Sequence, residues 1–91
     1  MRRGMMWEIE LSDHAEQALF DLEPNLQDRI EAAIDQLQQT FMPHGAKKLQ
    51  GRKDEYRLRV GAYRILYRVF KKEKLIVVGR IDRRGQAGIY R

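Results

Sequence analysis

Tyr56, Leu58 and Val60 alternate with Arg57 and Arg59, Gly61-Ala62 interrupts, and Tyr63, Ile65, Tyr67 and Val69 then alternate with Arg64, Leu66, Arg68 and Phe70. A period of two sends successive side chains to opposite faces of a strand. Two such strands joined by only two residues, the first a glycine, form a hairpin on a type II′ turn. The turn sets the register: Val60 opposite Tyr63, Arg59 opposite Arg64, Leu58 opposite Ile65, Arg57 opposite Leu66, Tyr56 opposite Tyr67 and Glu55 opposite Arg68. One face of the hairpin is then apolar and needs a cover. The other gathers Arg57, Arg59, Arg64 and Arg68 around Leu66 and Phe70. Like charges directly opposite each other cost stability, so Arg59 against Arg64 makes physical sense where an anion lies over the pair.

The cover comes from the first half of the chain. Trp7, Ile9 and Leu11 alternate with Glu8 and Glu10 and predict an opening strand. Ser12 and Asp13 are N-cap candidates, Asp13 with Glu16 has capping-box spacing, and a short helix from there buries Ala15, Ala18, Leu19 and Leu22. Pro24 suits the first turn of a second helix. Its apolar stripe runs from Leu26 through Ile30, Ala33, Ile34 and Leu37 to Phe41, and the helix is predicted to end before Pro43. A basic connector, Ala46 to Lys53, leads to the hairpin, and a last strand over about Leu75–Ile81 is apolar enough to be covered on both faces. The expectation is an α+β domain spanning residues 1–91, in the order β-α-α-β-β-β, with a small, mainly antiparallel sheet and a helical hairpin packed on one face.

A chain of 91 residues has room for one such core. Charge is divided unevenly along it. Residues 1–45 hold three basic residues against nine acidic ones, a net −6, and residues 46–91 hold fifteen against four, a net +11. A basic block of that kind is a footprint for nucleic acid or for an acidic partner protein. There is no cysteine, hence no disulfide framework or thiolate metal site, and the cytoplasm is the expected compartment. No apolar run reaches membrane-spanning length, and Glu8 and Glu10 interrupt what would be a signal segment after Arg2-Arg3. The start is open among Met1, Met5 and Met6.

Arginine on a sheet face suits phosphate, because its planar fork makes paired hydrogen bonds and its charge persists at any working pH. RNA carries its own nucleophile in the ribose 2′-hydroxyl, so an enzyme need only orient it, neutralise the phosphorane and move two protons. His14 and His44 lie far apart in sequence and no carboxylate cluster accompanies the basic strands, so neither metal nor cofactor is expected. His44 beside Pro43 is a candidate base or a plain turn histidine. Tyr56, Tyr63 and Tyr67 fall on the core face, whereas Tyr90, near Arg83 and Arg84, either stacks on a base or closes the edge of the core.

In its motifs the chain resembles the RelE/ParE toxin superfamily of type II toxin–antitoxin systems, known in bacteria and archaea. The resemblance covers nearly the whole length: Lys48-Leu49-Gln50-Gly51, then Glu55-Tyr56-Arg57-Leu58-Arg59, then Ala62-Tyr63-Arg64-Ile65-Leu66-Tyr67, and finally Ile81-Asp82-Arg83-Arg84 with a late tyrosine. RelE-like members are metal-independent, ribosome-dependent mRNA endonucleases that inhibit translation through the 2′-hydroxyl. By position, the resemblance implies that Arg64 stabilises the transition-state phosphate and that Arg57 and Arg59 stand where the best-known RelE has lysines. It further implies that Arg84, or else Arg83, protonates the leaving oxygen and that Tyr90 stacks on the substrate base. Catalytic roles are therefore expected for Arg59, Arg64, Arg84 and Tyr90, and phosphate contacts for Arg57, Arg68, Arg83, Lys47, Lys48 and Lys53. Arginine stays protonated, so Arg59 fits phosphate binding better than proton removal.

ParE-like members share the architecture and poison DNA gyrase without nuclease chemistry, and a non-catalytic RNA-binding module would also keep the basic face. A toxin of either kind implies a cognate antitoxin whose acidic segment covers the arginines, in a complex that binds its own operator through the antitoxin. An RNase implies ribosome and mRNA as further partners.

Overall fold

The computed structural model describes residues 6–83. Its elements are β1 (Glu8–Leu11), α1 (Asp13–Phe20), α2 (Pro24–Gln36), β2 (Ala46–Lys48), β3 (Glu55–Val60), β4 (Tyr63–Phe70) and β5 (Leu75–Arg83). The five strands form one sheet in the order β1-β5-β4-β3-β2, parallel between β1 and β5 and antiparallel elsewhere. All six cross-strand pairs expected of the β3–β4 hairpin are present. Gly61 has φ 57° and Ala62 does not share the positive sign, as a type II′ turn requires.

The helices cover the apolar face. Ile30, Ile34 and Leu37 meet Leu58, Ile65, Val69, Ile76, Val78 and Ile81 in a continuous buried core. At one end an aromatic row extends it: Trp7 packs edge-on to Phe41, Phe41 edge-on to Tyr56, and Tyr56 stacks on Tyr67 at 5.7 Å between centroids. The Tyr67 hydroxyl donates to the Phe41 carbonyl at 2.7 Å. Burial, then the neighbouring Tyr56, pushes that phenol well above its ordinary pKa, which suits a packing role.

Three features differ from expectation. The capping box is absent: of the two N-cap candidates Ser12 holds the position, its hydroxyl accepting from the Ala15 amide, so Asp13 is already helical and its spacing to Glu16 makes no box. The second helix ends at Gln36, because Leu37, Gln38 and Gln39 donate to carbonyls three residues back and tighten the last turn. Phe41 therefore reaches the core from a loop. The basic connector contains a short edge strand, β2, in which Ala46 pairs with Leu58 and Lys47 with Arg57. Three residues are too few for periodicity to reveal, and tertiary pairing supplies the strand.

Candidate functional site

The side of the sheet away from the helices carries the site, and strand parity decides which residues reach it. Arg57 and Arg59 of β3 and Arg64 and Arg68 of β4 stand there, with Lys47 of β2 opposite Arg57. Lys48 pairs with Tyr56 and so belongs to the helix side of the edge, while Lys53 lies in the exposed turn before β3. Arg83 pairs with Tyr63, which also places it on the helix side, exposed at the end of β5. Arg84 and Tyr90 lie outside the described residues. His14 and His44 are both exposed, and neither lines the cleft described next.

Between β3, β4 and β5 the open face sinks into a cleft of about 590 Å³, within the ~300–1,000 Å³ typical of ligand sites. Leu66, Phe70 and Val77 form its apolar floor, and Arg64, Arg68 and Arg80 its cationic wall. The presence of Arg80 depends on a β-bulge. Tyr67 pairs with Val78 and Leu66 with Arg80, so Gly79 is the extra residue. One added residue inverts the parity beyond it. Ile81 consequently turns into the core, where it is 5% exposed, and Arg80 and Asp82 turn toward the cleft. Ser12 holds the bulge, donating its hydroxyl to the Gly79 carbonyl at 2.8 Å while capping α1.

The cations on this face differ in how they are neutralised. Glu55 accepts from Arg68 and, at 2.8 Å, from Arg52 Nη1. Arg68, and after it Arg52, holds the Glu55 carboxyl below the usual carboxylate range against the opposing effect of desolvation. Arg80 Nε donates to Asp82 Oδ2 at 3.1 Å. Arg64 is in a different state: its Nε is buried and makes no hydrogen bond. Its cross-strand neighbours are Arg59 on one side and Asp82 on the other, yet it forms no ion pair among the described residues. An atom closed to solvent is closed to an outside ligand as well, so it is the Arg64 guanidinium on the cleft wall, unmatched by any ion pair among the described residues, that offers charge to an anion.

Sequence reasoning alone missed Arg80, Asp82 and the contact from Arg52 to Glu55, though the hairpin register had set Glu55 opposite Arg68. The available signal was Gly79 within an otherwise β-branched run, a mark of a bulge. Read that way, it turns Arg80 and Asp82 to the side opposite Ile81.

Residues 9–88 match the family described as the ParE toxin of type II toxin–antitoxin systems, parDE. The chain belongs to this family. Within the wider RelE/ParE superfamily, the toxin is 28% identical over 83 residues to the protein named as toxin RelE1 of Methanocaldococcus jannaschii, covering 88% of this chain and 92% of that protein. Its fold is similar to the archaeal RelE–RelB complex from Pyrococcus horikoshii, with TM-score 0.79 and 29% identity, over 90% of this chain and 99% of that one. The isolated E. coli RelE toxin gives TM-score 0.78 at 15% identity, over 92% and 90% of the two chains, a likeness of fold.

Proposed function

We propose that this toxin is an endoribonuclease that cuts mRNA on the ribosome and so stops translation. The observation that carries the reading is the Arg64 guanidinium on the wall of the cleft, in no ion pair among the described residues. A phosphodiester is the anion that would match it, and guanidinium–phosphate bonds strengthen as charge builds on the phosphorane. Arg57 and Arg59 extend the cationic surface along β3, with Lys47 beyond them. Leu66 and Phe70 offer an apolar floor on which a base or ribose can rest. Arg84 and Tyr90 keep the roles that the superfamily resemblance implies for them, proton donor and stacking platform.

The same arginines suit an antitoxin. The Pyrococcus relative was solved bound to RelB, and an acidic segment lying over Arg57, Arg59 and Arg64 would satisfy the same charges that phosphate does. Such a complex would reach its operator through the antitoxin, and the cytoplasm, where ribosomes are, is the compartment this reading requires. No helix among the described residues is long and apolar enough to cross a membrane.

The ParE family match favours a second reading, a gyrase poison. One experiment separates the two: induce the toxin without a partner, map mRNA 5′ ends, and assay gyrase supercoiling in parallel, with Arg64→Ala as control. Growth arrest with codon-phased cuts that vanish in Arg64→Ala is the result expected. Arrest with intact mRNA and inhibited supercoiling overturns the nuclease in favour of the gyrase poison, and no arrest at all points to a module that only binds.

A further inference from the structure

The arginines of the cleft have ample means to hold phosphate and none to accept a proton. The 2′-hydroxyl must lose one as it attacks, and a guanidinium is protonated throughout the working range. Among the described residues two carboxylates line the cleft, Glu55 and Asp82, and they are in different states. Glu55 accepts from two guanidinium groups, Arg68 and Arg52, and the pairing lowers its proton affinity. Asp82 is only 4% exposed, and Arg80 Nε holds one of its oxygens, Oδ2. No hydrogen bond engages Oδ1 among the described residues.

The position of Asp82 is fixed by the fold. It is the cross-strand partner of Arg64, and directly opposed residues have Cβ atoms about 4.5–5.5 Å apart. It faces the cleft only because the Gly79 bulge inverts parity, and Ser12 ties that bulge to the start of α1. The charged groups around it are Arg80 on its own strand, Arg64 and Arg68 on β4, and Glu55 and Arg52 across the cleft. The β1 acids, Glu8 and Glu10, pair lower on β5 with Leu75 and Val77. The helical layer packs on the opposite face of the sheet.

We infer that Asp82 is the general base of the cleavage, taking the 2′-hydroxyl proton on Oδ1 while Arg80 orients the carboxylate and Arg64 holds the phosphate. The inference rests on the nuclease reading above. In the step, the ribose 2′-oxygen gives its proton to Asp82 and bonds to the adjacent phosphorus. The bond from phosphorus to the 5′-oxygen breaks, and that oxygen takes its proton from the donor, the role the nuclease reading gives Arg84, which water then reprotonates. The products are a 2′,3′-cyclic phosphate and a 5′-hydroxyl end, and the Asp82 carboxyl returns its proton to water. No oxidant, metal or net water is consumed.

The test uses purified toxin and ribosomes programmed with a short mRNA, under single turnover. Asp82→Asn keeps the shape and an oxygen for Arg80 Nε but cannot take a proton. It is expected to bind ribosomes carrying a 2′-deoxy mRNA within about threefold of wild type and to cleave the ribo-mRNA at least about 100-fold more slowly, as loss of a general base does. Asp82→Ala, with the melting curve confirming a folded protein, should be rescued by added carboxylate, and acetate should rescue better than formate because it is the stronger base. A residue that merely positions Arg80 would show no such dependence on basicity. If Asp82→Asn cuts within about threefold of wild type, or if folded Asp82→Ala ignores both carboxylates, the assignment is wrong while the nuclease stands. A wild type that cuts no mRNA at all removes the nuclease reading, and the base with it.

Discussion

Replacing Arg64 by methionine should make the protein more stable while abolishing its action on phosphate. Arg64 contributes two unfavourable terms to the folded state. It stands directly opposite Arg59, and a like-charge cross-strand pair costs roughly 0.2–1 kcal/mol. Its Nε is buried without an acceptor, and an unsatisfied buried donor costs roughly 1–3 kcal/mol. Methionine keeps most of the apolar stem that packs beside Leu66 and removes both charge and donor. A net gain of about 1–3 kcal/mol is therefore expected. For a domain of this size, each 1 kcal/mol moves the melting temperature by roughly 4–8 °C.

The assay is thermal unfolding by circular dichroism in a buffer free of phosphate, then in about 100 mM inorganic phosphate. Ligand binding to the folded state adds RT ln(1 + [L]/Kd), about 1.4 kcal/mol for a Kd tenfold below the ligand concentration. Wild type should gain in phosphate and Arg64→Met should not. Arg83→Met is the control, since Arg83 is exposed on the other face, and its effect should stay within about 0.5 kcal/mol. If Arg64→Met melts at or below wild type without phosphate, the protein itself satisfies Arg64 and the argument for an external anion fails.

Three further outcomes follow from local geometry. Ser12→Ala removes both the α1 cap and the donor to the Gly79 carbonyl; denaturant unfolding should show a loss of about 1–2 kcal/mol, and mRNA cutting should fall because the bulge that aims Arg80 and Asp82 is released. Gly61→Ala places an L-residue at φ 57°, with its Cβ only 3.0 Å from Arg29 Nη2; the guanidinium can swing aside, so backbone strain dominates and urea unfolding should register roughly 1–2 kcal/mol. Glu55 titrates below its ordinary value in the folded state, so its contribution is fully present above the usual carboxylate pKa and is lost as pH falls through the lowered one. With Arg52 and Arg68 more than half exposed, the contribution is at most about 1 kcal/mol, and Glu55→Gln should flatten the acid side of the stability curve by that much and no more.

How far the sequence could be read depended on how local the determining interaction was. The β3–β4 register was legible because alternation and a two-residue glycine turn specify it within sixteen residues, Glu55 to Phe70. The helical cover was legible for the same reason, from the three-four spacing of Ile30, Ile34 and Leu37. The bulge had only a weak local mark, Gly79, while the hydroxyl that contacts it belongs to Ser12, 67 positions away. The register shift at Gly79 turns Arg80 and Asp82 to the cleft, and the contacts that hold β5 there, the Ser12 hydroxyl and amide among them, come from the start of the chain. The β2 edge was hidden likewise, since Ala46 to Lys48 become a strand only by pairing with β3. Of the candidate site, the arginines of the hairpin and Glu55 opposite Arg68 were therefore readable, and Asp82 was not.

The way Glu55 and Asp82 sort the arginines has a consequence for how the toxin meets a polyanion. The helices carry the acidic half of the chain, including Glu16, Asp28, Glu31 and Asp35, all exposed on the far side of the sheet from the cleft. Repulsion by that layer leaves RNA only the open sheet face to approach. On that face Glu55 and Asp82 each engage a neighbouring arginine, and Arg57 and Arg64 form no ion pair among the described residues. The field thus orients the substrate from a distance, and the carboxylates concentrate the unmatched charge at Arg64. Removing the acidic layer, for instance by Glu31→Gln with Asp35→Asn, should strengthen binding to RNA at low salt without shifting the cut site, because it alters which faces compete and leaves the cleft unchanged. A shift in cut position would mean that the helical face itself guides the RNA.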